Sequence, residues 1–167
     1  PGEKPWAATG LRGRSTHNII NSLFLQPDLM EKHNHVLQEK YARIQETETR
    51  WENLQTEDAD IIVVAYGITS RIAQTAIVKA RAAGIKVGML RPISLWPFPS
   101  KPIAALTANA KAFVVFEMSA GQMVEDVRLA VNGARPVFFH GRTGGMLPTP
   151  KELYETIMTV ARGEGGK

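Results

Sequence analysis

From residue 57 onward, short apolar runs alternate with amphipathic stretches, and that alternation limits the chain to very few folds. Ile61-Ile62-Val63-Val64-Ala65-Tyr66 is a β-branched run that stops at Gly67, the pattern of a strand buried on both faces. A helix is predicted next. Thr69 or Ser70 can cap it, Ile72, Ala73, Ala76, Ile77 and Ala80 recur at helical spacing, and Gly84 supplies a left-handed stop. The unit then repeats. Ile85 to Leu90 reads as a second strand closed by Arg91-Pro92, and the Pro-rich turn Leu95-Trp96-Pro97-Phe98-Pro99 leads to a short helix near Ser100 to Asn109. Ala112 to Phe116 reads as a third strand ending at Glu117. Met123, Val124, Val127, Ala130 and Val131 line the face of a helix that stops at Asn132-Gly133. Pro136 to Phe139 is a last short strand, and Thr149-Pro150-Lys151-Glu152 opens the final helix as a capping box with proline in its first turn. Such alternation forces parallel pairing through right-handed crossovers, with helices on both faces of the sheet. The fold expected is α/β, a three-layer, doubly wound sheet.

The first 56 residues break the pattern. Glycine and proline punctuate the opening, and Asp28 with Glu31 can start a long helix whose apolar stripe holds Leu29, Val36, Leu37, Tyr41 and Ile44. The stripe is narrow, so this helix is expected to lie across a surface or reach a neighbour. Thr49 to Gln55 can form a short edge strand. The organisation expected is therefore an N-terminal arm and helix over 1–48 that lead from an upstream domain, an α/β domain over 49–162, and a polar tail over 163–167. The chain opens at Pro1-Gly2-Glu3 and reads as a soluble piece of something larger.

Composition removes several chemistries. The chain has no cysteine, so it supplies no disulfide, thiolate nucleophile, cysteine-ligated zinc or cysteine-ligated iron–sulfur cluster. Its apolar runs are too short to span a bilayer, and a cytoplasmic, non-membrane protein is expected. Charge is uneven along the chain. Residues 51–60 hold 4 acids and no base, whereas 61–111 hold 7 bases and no acid. Those bases are widely spaced without interleaved aromatics, which argues for a solvated surface and against nucleic acid.

In open α/β sheets, ligands gather beyond the carboxyl ends of the strands, where the winding reverses. The residues expected there are Gly67, Thr69, Ser70, Arg91, Glu117, Gly121 and Arg142, and they form the candidate strand-end cleft. Gly67 and Gly121 each sit where a strand feeds a helix, so their amides could hold an anion or simply allow tight turns. Neither lies in a GxGxxG or GxxxxGK[ST] pattern. Gly141-Arg142-Thr143-Gly144-Gly145 could cradle a phosphate or form a surface loop. Arg91 and Glu117 close neighbouring crossovers and are expected to brace each other. Glu117 lacks a second titrating partner for acid–base work. The scattered histidines His17, His33, His35 and His140 do not make a metal site. No catalytic residue, bound cofactor or metal site is assigned to this chain.

Several stretches, taken together, resemble a known family. Val64-Ala65-Tyr66-Gly67-Ile68-Thr69-Ser70-Arg71 and Gly84 to Pro99 resemble the C-terminal domain of the transketolase superfamily. Lys4-Pro5-Trp6, His17 to Leu23, Glu117 to Arg128 and Gly141 to Pro150 resemble the α-subunit of 2-oxoacid:ferredoxin oxidoreductases, most of all the branched-chain (2-oxoisovalerate, 3-methyl-2-oxobutanoate) type. The resemblance implies a five-stranded, mostly parallel sheet with an antiparallel edge near Thr49–Gln55 beside Lys86–Leu90, in the order edge, second, first, third, last. It implies a complex in which thiamine diphosphate and magnesium sit between an upstream α-subunit domain and a separate β-type subunit. There, 2-oxo acids are oxidatively decarboxylated to acyl-CoA, and electrons pass through iron–sulfur clusters on other subunits, β- or γ-type, to ferredoxin. This piece would bind none of those cofactors alone and would serve assembly. A stand-alone α/β module binding an anion or nucleotide is the alternative, and an interaction domain with no enzyme attached is a third reading.

Overall fold

A computed structural model describes residues 2–11 and 13–164. The polar tail beyond Glu164 lies outside the described residues. The chain divides between Ala42 and Arg43 into two compact units.

In the first unit, the described residues before Pro27 form no helix or strand. Arg14 gathers the carbonyls of Pro5, Ala7 and Gly10, while Ile19 and Leu25 are each 83% exposed. Helix α1 (Pro27–Thr47) crosses the division and buries no residue fully. Of the expected stripe, Leu37 and Ile44 are half-buried, while Leu29, Val36 and Tyr41 are exposed.

The second unit is the expected α/β sheet. Its elements are β1 (Trp51–Leu54), β2 (Ile61–Ala65), α2 (Gly67–Ala82), β3 (Val87–Pro92), α3 (Ser100–Leu106), β4 (Ala112–Glu117), α4 (Met123–Val131), β5 (Val137–Gly141) and α5 (Pro150–Ala161). The strand order is β1-β3-β2-β4-β5, and β1 alone runs antiparallel. The edge strand is shorter than expected, pairing Trp51–Leu54 with Met89–Pro92. Gln55 ends it by entering the left-handed region at φ 52, and the Arg81 guanidinium holds the Gln55 carbonyl at 2.8 Å.

Side-chain alternation along the two central strands builds the layers. Ile61, Val63 and Ala65 of β2, with Val114 and Phe116 of β4, pack against Ala73, Ala76 and Ile77 of α2 and Leu153 and Ile157 of α5. Ile62 and Val64, with Phe113 and Val115, pack on the other face against Ile103 of α3 and Val124 and Val127 of α4. Helices α2 and α5 therefore cover one face and α3 and α4 the other. The winding reverses between β2 and β4, and the carboxyl ends of the parallel strands form a crest there.

Two helix ends follow the sequence. At α5, Glu152 N–H donates to Thr149 Oγ1 (3.2 Å) while Thr149 N–H donates to Glu152 Oε2 (2.7 Å). At α4, Asn132 takes φ 49, and its N–H donates to the Arg128 carbonyl. The start of α2 differs from expectation. Tyr66 is the capping residue, because Gly67 at φ 58 turns the chain into the helix directly after β2. Thr69 and Ser70 lie one turn further on, buried, and the Ser70 hydroxyl donates to the Gly67 carbonyl at 2.8 Å.

Candidate functional site

The crest gathers the ends of β2, β3, β4 and β5, and with them Gly67, Thr69, Ser70, Arg91, Glu117, Gly121 and Arg142. It does not bring Arg91 to Glu117. Strand β2 lies between β3 and β4, so two sheet spacings, roughly 9.5 Å, separate them. Arg91 instead reaches sideways along the β1–β3 pair, where Glu52 is its register partner, and its Nη1 donates to Glu52 Oε2 at 2.8 Å. The expected brace is corrected to an ion pair between the edge strand β1 and its neighbour β3.

Glu117 does something the sequence did not reveal. It is 2% exposed, and its carboxylate turns back over the first turn of α4. It accepts from the backbone N–H of Gln122 (3.2 Å), Met123 (3.1 Å) and Val124 (3.2 Å) and from the Ser119 hydroxyl (2.9 Å). Ser119 Oγ in turn accepts from Gly121 N–H at 3.0 Å. A helix start leaves its first N–H groups without partners and carries partial positive charge, so a carboxylate there is strongly favoured. The donors that could have held an external anion beside Gly121 are occupied by the protein's own glutamate.

Arg142 is also engaged. Its Nη2 donates to Glu152 Oε1, the carboxylate that closes the α5 capping box. The capping bonds from Thr149 hold the Glu152 carboxyl below the usual range, with Arg142 and His140 adding to the effect. Of the seven bases in 61–111, three meet the acids of 51–60. Arg91 pairs with Glu52, Arg81 with Asp58 at 2.7 Å, and Lys111 with Asp60 at 3.2 Å. The Arg81 hydrogen bond holds the Asp58 carboxyl below its ordinary value. Charges that lie far apart in sequence become neighbours in the sheet.

What the crest leaves exposed is apolar. Trp51, Ile68, Ile93, Leu95, Trp96, Met146 and Leu147, all at the crest end of the sheet, are between 41% and 59% exposed. Trp51 belongs with them because antiparallel β1 starts where β3 ends, opposite Pro92. A concentration of large apolar groups on one side, beside charges such as Arg91 and Arg142 that are already paired, is characteristic of a protein-binding surface.

His140 is a second feature that residue patterns alone did not bring out. It lies at the end of β5, edge-on to Phe116 with centroids 5.9 Å apart. Thr156 Oγ1 lies 3.0 Å from the Glu152 carbonyl, to which it donates, and 3.2 Å from His140 Nδ1. The other ring nitrogen, Nε2, is buried with no hydrogen-bond partner among the described residues. Burial pushes the imidazole below its ordinary value, Arg142 acts the same way, and Glu152 opposes them. The unfolded chain then takes up this proton first as pH falls. Stability is expected to be flat above about pH 7 and to fall as pH drops below about 6.5. Denaturant melts between pH 7.5 and 5.5 should show that loss in the parent and a flatter profile in His140→Gln. Equal slopes in both would refute it.

The comparisons with known proteins bear on this geometry. Residues 59–153 match the family model described as pyruvate:ferredoxin oxidoreductase core domain II. The ketoisovalerate oxidoreductase subunit VorB of Methanothermobacter thermautotrophicus is 48% identical over 156 residues, covering 93% of this chain and 44% of that protein. The chain thus spans less than half the length of that relative. Among solved structures, a 2-oxoglutarate:ferredoxin oxidoreductase from Magnetococcus marinus superposes with a TM-score of 0.74 at 21% identity, covering 96% of this chain and 28% of that one. A split-gene transketolase superposes at 0.58 and 20% identity, covering 66% of this chain and 40% of that one. Those two likenesses establish a shared fold, and the match over 59–153 establishes the family: this chain belongs to the pyruvate:ferredoxin oxidoreductase core domain II family.

Proposed function

We propose that the chain is the C-terminal assembly domain of an α-subunit in a thiamine diphosphate-dependent 2-oxoacid:ferredoxin oxidoreductase. The whole complex would oxidatively decarboxylate a branched-chain 2-oxo acid of the 2-oxoisovalerate class to its acyl-CoA and deliver electrons to ferredoxin. The similarity to a ketoisovalerate oxidoreductase subunit supports the substrate class. The partners would be the remaining α-subunit domain and the β- and γ-type subunits, in the cytoplasm. Among the described residues no helix is long and apolar enough to cross a membrane.

One observation carries this reading. Each charged side chain of the candidate cleft has a partner within the domain, with only the Nε atoms of Arg91 and Arg142 left buried and unpartnered, while the crest around them exposes apolar side chains. A diphosphate with its magnesium needs unspent donors and carboxylates. The α4 amides hold Glu117, Arg91 holds Glu52 and Arg142 holds Glu152. These commitments argue against thiamine diphosphate binding by this chain alone, and without cysteine the chain does not fit an iron–sulfur cluster. The chain's contribution to the reaction is to position the subunits that hold those groups.

Activity assays test this directly. The chain alone should not reduce ferredoxin with 3-methyl-2-oxobutanoate and coenzyme A, whereas the co-expressed complex should. Ile93→Asp and Leu95→Asp should weaken assembly at least tenfold while leaving the domain's melting temperature close to the parent's. Tight calorimetric binding of thiamine diphosphate by the chain alone would overturn the proposal. The N-terminus of α2 has no side-chain cap, which is the observation favouring a stand-alone anion-binding module. Strong, saturable thermal stabilisation by phosphate, a nucleotide or coenzyme A would support that second reading.

A further inference from the structure

Strand β5 is the unprotected edge of the sheet. The opposite edge, β1, carries Glu52 in an ion pair, a charge of the kind that discourages stray pairing. Val137-Phe138-Phe139-His140-Gly141 has no lysine, acid or proline, and its first four residues are strong strand formers or aromatic. On its inner side the Pro136 carbonyl accepts from Phe113 N–H, and Arg142 N–H donates to the Glu117 carbonyl. With a period of two, the even-numbered residues face β4. The N–H and C=O groups of Val137, Phe139 and Gly141 therefore point to the open side. Among the described residues β5 pairs with β4 alone, so no strand lies beside those amides.

That open side is a groove of about 1010 Å³, with β5 as its floor, α5 along one wall and Arg128 of α4 on the other. We infer that the groove takes one extended segment of a partner subunit, which adds to β5 as a sixth strand. This rests on the chain working inside a multi-subunit complex, as proposed above. The occupant follows from the recess and from its charge. A second copy's β5 would sit equally recessed behind its own α5 and could not reach the floor, whereas a single extended strand can. The α5 wall presents Glu152 and Glu155. Glu152 is held by Arg142, but Glu155 has only a 3.8 Å contact with the exposed Lys151. The segment should therefore carry a lysine or arginine level with Glu155, among β-branched residues on alternate positions. The buried, unpartnered Nε2 of His140 lies at the crest end of the same groove.

Residue-resolved hydrogen exchange on the chain alone and in the co-expressed complex tests this. The amides of Val137, Phe139 and Gly141 should exchange at least about 100-fold more slowly in the complex, while Phe138 and His140 are protected in both. Thr159→Trp, which fills the groove from α5, and Glu155→Lys should each reduce the added protection without unfolding the domain. A complex that forms with unchanged exchange at the three outward amides overturns the inference alone. Failure to form any complex overturns it together with the proposed function. Protection that appears in the chain alone, rising with its concentration, identifies a second copy as the occupant and also overturns it.

Discussion

Replacing Glu117 with alanine is expected to lower the stability of the α/β unit by about 4 kcal/mol, read as a melting temperature about 15 °C lower at neutral pH. The substitution removes the acceptor for the buried amides of Met123 and Val124, for the part-buried amide of Gln122 and for the Ser119 hydroxyl. It also removes the negative charge that faces the helix's positive end. Glu117→Gln keeps one accepting oxygen but turns an amide group toward N–H donors, so it should recover only part of the loss. Ser119→Ala, which removes one link to Gly121, should cost about 1 kcal/mol. Circular dichroism melts of the three variants give the ranking. An alanine variant melting within a degree of the parent would show that the carboxylate does not hold α4.

Gly88→Ala is expected to cost about 3 kcal/mol, the upper range for overpacking. A Cβ at residue 88 would lie 2.3 Å from the Gln55 carbonyl oxygen and 2.9 Å from the Thr56 Cα. Both are backbone atoms, and no rotamer change can relieve the contact. The Gln55 carbonyl is also fixed by Arg81, which reaches Asp58 and the Val87 carbonyl as well. The substitution should therefore loosen β1 from β3 and weaken the Arg81–Asp58 pair. Chemical denaturation measures the cost. Arg81→Ala combined with Gly88→Ala should lose less than the sum of the two single changes, because both act on the same carbonyl. Strict additivity would show that the two are independent.

The α/β architecture was legible because it is written in periodicity. The run Ile61 to Tyr66 can only be a strand with both faces covered, and residues 72 to 80 repeat at the spacing of a helix lying on it. The capping box Thr149–Glu152 and the left-handed stop at Asn132 are local signals whose partners lie within four residues, so they too could be read directly. The start of α2 was misplaced by a turn for a physical reason. Thr69 and Ser70 are good caps by residue type, but the strand ends at Ala65, and a glycine at 67 allows the helix to begin before either is reached.

The strand-end residues were placed at the right end of the sheet, but their partners were not legible. Arg91 meets Glu52 only because β1 returns antiparallel along β3, and a separation of 39 positions in the sequence carries no local sign of it. Glu117 was matched to an arginine because the two close successive crossovers, yet sequence succession does not make strands neighbours. His140 gave no signal as a residue type. Its contact through Nδ1 is with Thr156, in the middle of a helix that packs over β5.

The sequence by itself determined the layers and the face each helix buries, because burial of apolar stripes is set by spacing within single elements. Only the tertiary structure decided which charges cancel, which amides Glu117 holds, and which edge and crest remain open. Those outcomes depend on which distant segments meet when the sheet is assembled, and one strand interposed between two others is enough to change every ionic partner at its ends.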